Sequence, residues 1–262
     1  MCKVSVIMGI YNCAATLQEA LDSLYAQTFQ DFEIVLCDDG SKDDTYEIAL
    51  ANQRCHKNIV LLRNERNLGL NKTLNNCLAV AKGEYIARMD GDDISLPTRF
   101  EREVDFLDSH PEFAIVSTPM IYFDENGEFR RGSVRNQYPN KYDFISGTPF
   151  CHAPCMVRVE AYNRVGGYSE DERLLRVEDY NLWFKMYAAG YRGYILNEHL
   201  YKMRDNRAAI NRRSYRNRIN EAYVKRIGYR MLGLPWYYNI YILRPLIVGL
   251  LPKSVYKILH RI

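Results

Sequence analysis

Apolar and polar positions follow two rhythms along the first 120 residues. Val4–Met8, Phe32–Cys37, Ile59–Leu62 and Tyr85–Met89 are short apolar runs rich in β-branched side chains, the pattern of buried strands. Between them, apolar residues recur at helical spacing. Thr16–Gln27 carries Leu17, Ala20, Leu21 and Leu24; a second stretch covers Asp44–Ala51; Leu70–Ala81 carries Leu70, Leu74, Leu78 and Ala81. Pro97 is expected to open a further helix at its first position, where a missing N–H costs nothing. Repeated β-α-β units with strands apolar on both faces predict an α/β fold: a Rossmann-like, mostly parallel sheet with helices on both faces.

The rhythm loosens beyond that. Phe113–Pro119 reads as a strand, and Met120–Arg131 as a hairpin turning at Asn126-Gly127. Phe150–Val159 and Gly166-Gly167-Tyr168 read as loop or short strand. Asp179–Ala189 is helical, with Leu182, Trp183, Met186 and Tyr187 on one side, and Tyr191–Leu196 is the expected last strand. Asn211–Arg230 is a basic helix, followed by an apolar stretch, Met231–Leu251, broken by Pro235, Asn239, Arg244, Pro245 and Gly249. The expected division is an α/β domain over 1–205 and a basic, apolar helical extension over 206–262.

Charge sharpens that division. From Lys202 onward there are 14 Lys and Arg against two carboxylates, Asp205 and Glu221, whereas the preceding residues carry 21 basic and 30 acidic side chains. A basic tail on an acidic body points to an anionic surface, nucleic acid or acidic lipid. No groove-reading or base-stacking module is apparent, so nucleic acid is not the expected partner. Trp236, Tyr237, Tyr238 and Tyr241 favour an interface, while Arg244, Asn239 and two prolines make a bilayer span costly. Peripheral attachment to an anionic membrane surface is therefore expected, on the cytoplasmic face, since the chain opens on a strand pattern with no charged leader. Seven cysteines, an odd number set mostly in apolar runs, read as reduced thiols, with Cys151 and Cys155 as packing.

In an open parallel sheet, ligands bind beyond the C-terminal strand ends. The polar punctuation falls there: Ile10-Tyr11-Asn12, Asp38-Asp39-Gly40-Ser41, the stretch 63–69 with Arg66, Asn67 and Gly69, and Asp90-Gly91-Asp92-Asp93. Three carboxylates within four residues repel one another unless a cation offsets them, and hard divalent ions take such oxygen ligands beside substrate phosphates. The alternative is an acidic turn before the Pro97 helix. Asp39 is favoured as a ligand contact, whereas Ser41 and Asp43 are favoured as helix caps. No glycine-rich phosphate loop follows the first strand, which weakens nicotinamide, flavin and P-loop readings. A metal and the side chains Arg63, Arg66 and Lys72 would then have to meet phosphate charge. Glu178-Asp179 opens a helix, as a cap or as a general base. Trp183, one turn on, offers a sugar-facing ring or core packing; His152 is a candidate lining of an acceptor cleft.

Together these residues resemble glycosyltransferase family 2, whose fold is called GT-A. The resemblance runs from Lys3 to about Arg204 through Tyr11-Asn12, Asp38-Asp39-Gly40-Ser41, Asn67-Leu68-Gly69, Asp90-Gly91-Asp92, Gly166-Gly167-Tyr168 and Glu178-Asp179 with Trp183. It implies that Tyr11 and Asp39 hold the base of a nucleotide-sugar donor, UDP-sugar favoured, with Asp39 accepting the uracil N3–H. Asp90 would contact ribose, with Asp92 binding Mn²⁺ or Mg²⁺ beside the diphosphate and Asp179 acting as general base in an inverting displacement. Many relatives carry proline where Gly9 or Ile10 stands. The Gln-x-x-Arg-Trp motif of processive synthases is absent, which implies one sugar per transfer, to a glycan or lipid-linked saccharide of surface-polysaccharide assembly. Two competing readings are a nucleotidyltransferase, which would bring a basic glycine-rich loop after the first strand, and a non-catalytic nucleotide-sugar-binding protein, which would need no base.

Overall fold

The computed structural model describes residues 2–205 and 214–250. In chain order, β1 (Val4–Ile10), α1 (Ala14–Tyr25), β2 (Phe32–Asp38), α2 (Thr45–Cys55), β3 (Ile59–Arg63), α3 (Leu70–Val80) and β4 (Tyr85–Arg88) alternate as the periodicity predicts. Next come β5 (Ile94–Ser95), α4 (Arg99–Ser109), β6 (Ile115–Ser117), β7 (Met120–Asp124) and β8 (Gly127–Arg131). The chain continues through β9 (Met156–Arg158), α5 (Val159–Val165), α6 (Glu178–Ala188), β10 (Gly193–Ile195) and β11 (Tyr201–Arg204), then α7 (Tyr215–Met231) and α8 (Leu243–Leu250).

The main sheet has seven strands in the order β10-β6-β9-β4-β1-β2-β3. β4, β1, β2 and β3 are parallel neighbours, so their C-terminal ends emerge on one edge. β9 enters antiparallel to both β4 and β6. Side chains of β1 alternate between two layers. Val4, Val6, Met8 and Ile10 pack with Leu17, Leu21 and Leu24 of α1 and Phe100 and Leu107 of α4. Ile7 faces the other way, with Leu74 of α3, Trp183 and Phe184 of α6 and Val224 of α7. Gly9 shares that second face; a methyl there would lie 2.9 Å from Leu70 Cδ1, so its bareness lets α3 close over the strand end.

A buried ion pair fixes the acidic strand end from below. Arg99 Nε meets both Glu103 oxygens at 3.2 Å, and its Nη2 donates to the carbonyls of Arg88 and Ala153. Burial pushes the Glu103 carboxyl up to about 7. Removing one partner would strand the other, which costs on the order of 3–5 kcal/mol.

Three features depart from the sequence pattern, while the hairpin over 120–131 forms as expected. Pro97 lies before the helix rather than at its first position: Thr98 is the N-cap, and the Pro97 carbonyl accepts the Thr28 N–H instead. The 120–131 hairpin forms, with Glu125 and Asn126 as its loop and Gly127 at φ 112°. It belongs to a second sheet, β5-β11-β7-β8. β9 and α5 occupy a region without periodicity. Finally, α7 is built into the body: Val224, Lys225, Gly228 and Tyr229 are buried, and a methyl on Gly228 would fall 2.3 Å from Phe184 Cδ2. Among the described residues, no helix is long and apolar enough to cross a membrane.

Candidate active site

The ends of β1, β2 and β3 are stitched together by side chains that the sequence places one after another. Asn12, held at φ 49°, donates its N–H to Ser41 Oγ and accepts the Lys42 N–H on Oδ1 at 2.9 Å. Asp43 caps two helices at once: Oδ2 accepts the Ala14 N–H and Oδ1 the Thr45 N–H. Ser41, expected as a cap, is used up by Asn12. Asp39 is buried, and its carboxylate accepts N–H groups from Leu68 and Gly69 and from the Asn64 amide at 2.8–3.0 Å. Gly40 sits at φ 72°, where a Cβ would strike the Arg66 backbone at 2.8 Å, so only glycine lets these two strand ends touch.

At the end of β4 the acidic cluster is organised around buried Arg88, which grips both oxygens of Asp90 through its two terminal nitrogens. Asp93 is buried and accepts hydrogen bonds from the Tyr201 hydroxyl at 2.9 Å and the Arg204 N–H at 2.8 Å. Asp92 is exposed. One oxygen from each of Asp90, Asp92 and Asp93 falls within 4.8 Å of the others. Although the residue is exposed overall, the surrounding cleft atoms keep water from its carboxyl, and this together with the neighbouring Asp90 charge raises Asp92 above its ordinary range. Burial, with Asp90 and Asp92 beside it, raises Asp93. Clustered hard oxygen donors that repel one another without a cation fit Mn²⁺ or Mg²⁺. Asp93 was not singled out as a ligand in the sequence, where Asp90 and Asp92 stood for the motif.

The rest of the wall comes from the start of α6 and from α7. The Glu178 carboxyl is raised by burial, and its Oε2 has no hydrogen-bond partner among the described residues. Asp179 is pushed up to about 7, by burial first and by the Glu178 charge second; its Oδ1 accepts the Tyr180 N–H at 2.7 Å. A carboxyl poised near neutrality suits proton abstraction.

These walls enclose a cleft of about 810 Å³. Ile10, Tyr11, Asn12, Asp39, Asn67, Gly69, Asp90, Gly91, Asp92 and Glu178 line it, bringing together most of the residues expected from sequence. Asp179 stands next to Glu178 without lining the cleft. All three expected cations are absent from the wall: Arg63 pairs with buried Asp38 at 3.2 Å, Lys72 reaches Glu170 at 3.9 Å, and Arg66 is exposed, with its backbone packed against Gly40. His152 does not line an open acceptor cleft either. It is buried, hydrogen-bonded through Nε2 to the Tyr168 hydroxyl at 2.7 Å, and its surroundings hold it neutral. Trp183 is wholly buried against Phe150 and so offers no face to a sugar. In exchange, Leu175, Arg176, Arg204, Arg216, Asn217 and Asn220 line the cleft. No motif marked them, although Arg176 adjoins the Glu178-Asp179 pair.

The Glycosyl transferase family 2 profile matches residues 5–166. The chain is 42% identical to EpsE of Bacillus subtilis over 260 residues, 99% of this chain and 93% of that protein. It is 28% identical to the UDP-Glc:α-D-GlcNAc-diphosphoundecaprenol β-1,3-glucosyltransferase WfaP of Escherichia coli, over 71% of each chain. In fold it is similar to the mannosyltransferase PcManGT of Pyrobaculum calidifontis, solved with GDP-Man and Mn²⁺. The TM-score is 0.68 at 21% identity, covering 95% of this chain and 74% of that one.

Proposed function

Because the chain belongs to glycosyltransferase family 2, and so transfers a sugar from a nucleotide-sugar donor, we propose that it passes one sugar at a time, with inversion, from a UDP-sugar to a hydroxyl of a lipid-linked saccharide. The observation that carries the reading is the cleft that Asp39, Asp90, Asp92 and Glu178 line together, with buried Asp93 completing the acidic cluster behind Asp90 and Asp92.

The base of the donor lies against Tyr11, which is 42% exposed, and the rim built on Asp39. Asp39 reaches the base in part through the loop whose amides it holds. The chain positions the diphosphate beside Asp90, Asp92 and Asp93, which would hold the divalent ion. When bound, that ion supplies a Lewis acid for the charge that grows on the leaving nucleoside diphosphate. Asp179, half-buried behind the cleft-lining Glu178, takes the proton of an attacking hydroxyl that enters past Glu178; burial and the Glu178 charge keep that carboxyl near neutrality, and Glu178 orients the acceptor. A lipid-linked acceptor is supported by the name of the WfaP relative and by the apolar side chains of Trp236, Ile240, Leu243 and Ile247, all more than half exposed. Those side chains would rest on the anionic inner face of the cell membrane, with the cations of the extension beside the lipid headgroups.

The test is thermal melting of the purified chain with UDP-, GDP- and dTDP-sugars, each with and without Mn²⁺. Metal-dependent stabilisation by UDP-sugars is expected, accompanied by slow release of UDP. A chain that none of the donors stabilises would end this reading.

A further inference from the structure

We infer that Arg176 and Arg216 form an anion subsite in the part of the cleft lined by the 173–176 segment and α7, and that it takes the diphosphate of the acceptor lipid rather than that of the donor. The inference rests on the donor and acceptor roles assigned above and deepens them.

Arg176 and Asn12 are the two non-glycine residues with positive φ among the described residues, at 69° and 49°, and both line this cleft. A left-handed arginine persists only where its surroundings hold it there. Here the hold is visible: buried Asn220 of α7 donates to the Leu175 carbonyl at 2.9 Å, and Arg173 stacks over the Tyr223 ring of the same helix. α7 thereby fixes the 173–176 segment and brings its own Arg216 and Asn217 to the cleft.

The charges in the cleft divide unequally. Arg204 is committed to the acidic wall: its Nε donates to the Asp92 carbonyl at 3.0 Å and its guanidinium pairs with Glu19. Arg88 is committed to Asp90. Arg176 and Arg216 are exposed, and among the described residues neither comes within 4.0 Å of a carboxylate, although the Arg176 charge is felt by the neighbouring Glu178 carboxyl. Two unpaired guanidinium groups on one cleft present planar forks that match phosphate oxygens. The donor diphosphate already has the acidic cluster and its cation. Arg176, by contrast, lies two residues before Glu178 and three before Asp179, on the side from which the acceptor hydroxyl must come. Leu175, exposed at the same rim, suits the apolar chain that would follow an acceptor diphosphate.

The experiment uses the full chain saturated with UDP and Mn²⁺, so that the donor site is filled. Octyl diphosphate is titrated in by calorimetry, and inorganic pyrophosphate is then used as competitor. Octyl diphosphate should bind and pyrophosphate should displace it. Arg176→Gln and Arg216→Gln should each weaken octyl diphosphate binding at least tenfold, with unchanged affinity for UDP and an unchanged melting temperature. Three results would overturn the subsite: no binding of octyl diphosphate, binding indifferent to both substitutions, or an equal loss of UDP affinity, which would give the arginines to the donor. Binding of pyrophosphate alone would assign a soluble anion and overturn the lipid assignment. If UDP with Mn²⁺ fails to bind the wild-type chain, the donor reading fails separately, and octyl diphosphate binding by the unliganded chain still decides the arginines.

Discussion

Asp39 and Gly69 are joined across two strand ends by a hydrogen bond of 3.0 Å from the Gly69 N–H to Asp39 Oδ2, while Oδ1 of the same carboxylate holds Leu68. One buried acidic side chain thus sets the height of the loop that closes the cleft beside Tyr11. Asp39→Asn keeps the size and replaces one acceptor by an NH₂ that faces a backbone N–H. The expected loss is about 1–3 kcal/mol of stability, as for a buried group left unsatisfied. UDP affinity should fall with it, because the loop moves. Melting and UDP titration on the same variant check both. A variant that melts normally and loses only UDP would mean that Asp39 acts by direct contact alone.

The four parallel strands and their polar ends were legible because they obey a simple rule: β1, β2 and β4 are buried on both faces, edge strand β3 is half-buried but apolar, and helices of regular spacing separate them. Asp90, Asp92 and Glu178 could be read as a site because acidic residues at strand and helix ends are few and clustered. What was not legible depends on neighbours remote in sequence. β9 and β11 span three and four residues, too few to show a period. Trp183 and His152 have surface-capable side chains, and only the packing of Phe150 and Tyr168 decides that they are inside. The cations of α7 read as part of a basic tail for an anionic surface, yet that helix packs on α6 and buries Val224, Lys225, Gly228 and Tyr229.

That burial gives a second expectation. Gly228 lies flat on the Phe184 ring, and an added methyl has no room. Glycine in a helix is otherwise about 1 kcal/mol worse than alanine, so the usual sign of Gly→Ala is stabilising. Here overpacking should win, and Gly228→Ala should destabilise by about 1–3 kcal/mol. Denaturant melting measures it. A gain in stability would mean that α7 rides loosely on the body.

Asp92 is the exposed member of the acidic cluster, free to change its contacts when a cation arrives. Asp92→Asn should weaken UDP binding at least tenfold in Mn²⁺ and leave it unchanged in a chelator, because what is lost is a charge that the ion needs. The fold should hold, since Asp93 and Arg88 carry the buried hydrogen bonds. Isothermal titration in both buffers separates the two effects. Equal affinity of variant and wild type in Mn²⁺ would take Asp92 out of the metal site.

Asp179 has its carboxyl pushed up to about 7 by burial and by Glu178. A base must be ionised to act, so kcat/KM should be flat above about pH 7 and fall tenfold per pH unit below it. Glu178→Gln removes the like charge, which should shift this limb toward lower pH. Asp179→Asn should abolish transfer at every pH while UDP and Mn²⁺ still bind. A pH profile unmoved by Glu178→Gln would place the titrating group elsewhere.

Trp236 and Ile240 of the 3₁₀ helix Trp236–Ile242 and Leu243, Ile247 and Leu250 of α8 are all more than half exposed, Trp236 at 82%. Together they leave apolar area in water that a membrane interface would remove, at about 1.5–3 kcal/mol for each large side chain fully buried. Two or three such insertions, with the cations of the extension near anionic headgroups, suffice for reversible attachment. The full chain should therefore sediment with phosphatidylglycerol vesicles, less so at 0.5 M salt, and little with phosphatidylcholine. Trp236→Ser combined with Ile240→Ser should release it while transfer to a water-soluble acceptor survives, because neither side chain lines the cleft. If the wild-type chain stays in the supernatant with anionic vesicles at low salt, these exposed side chains serve some other contact, and the acceptor need not lie on a membrane.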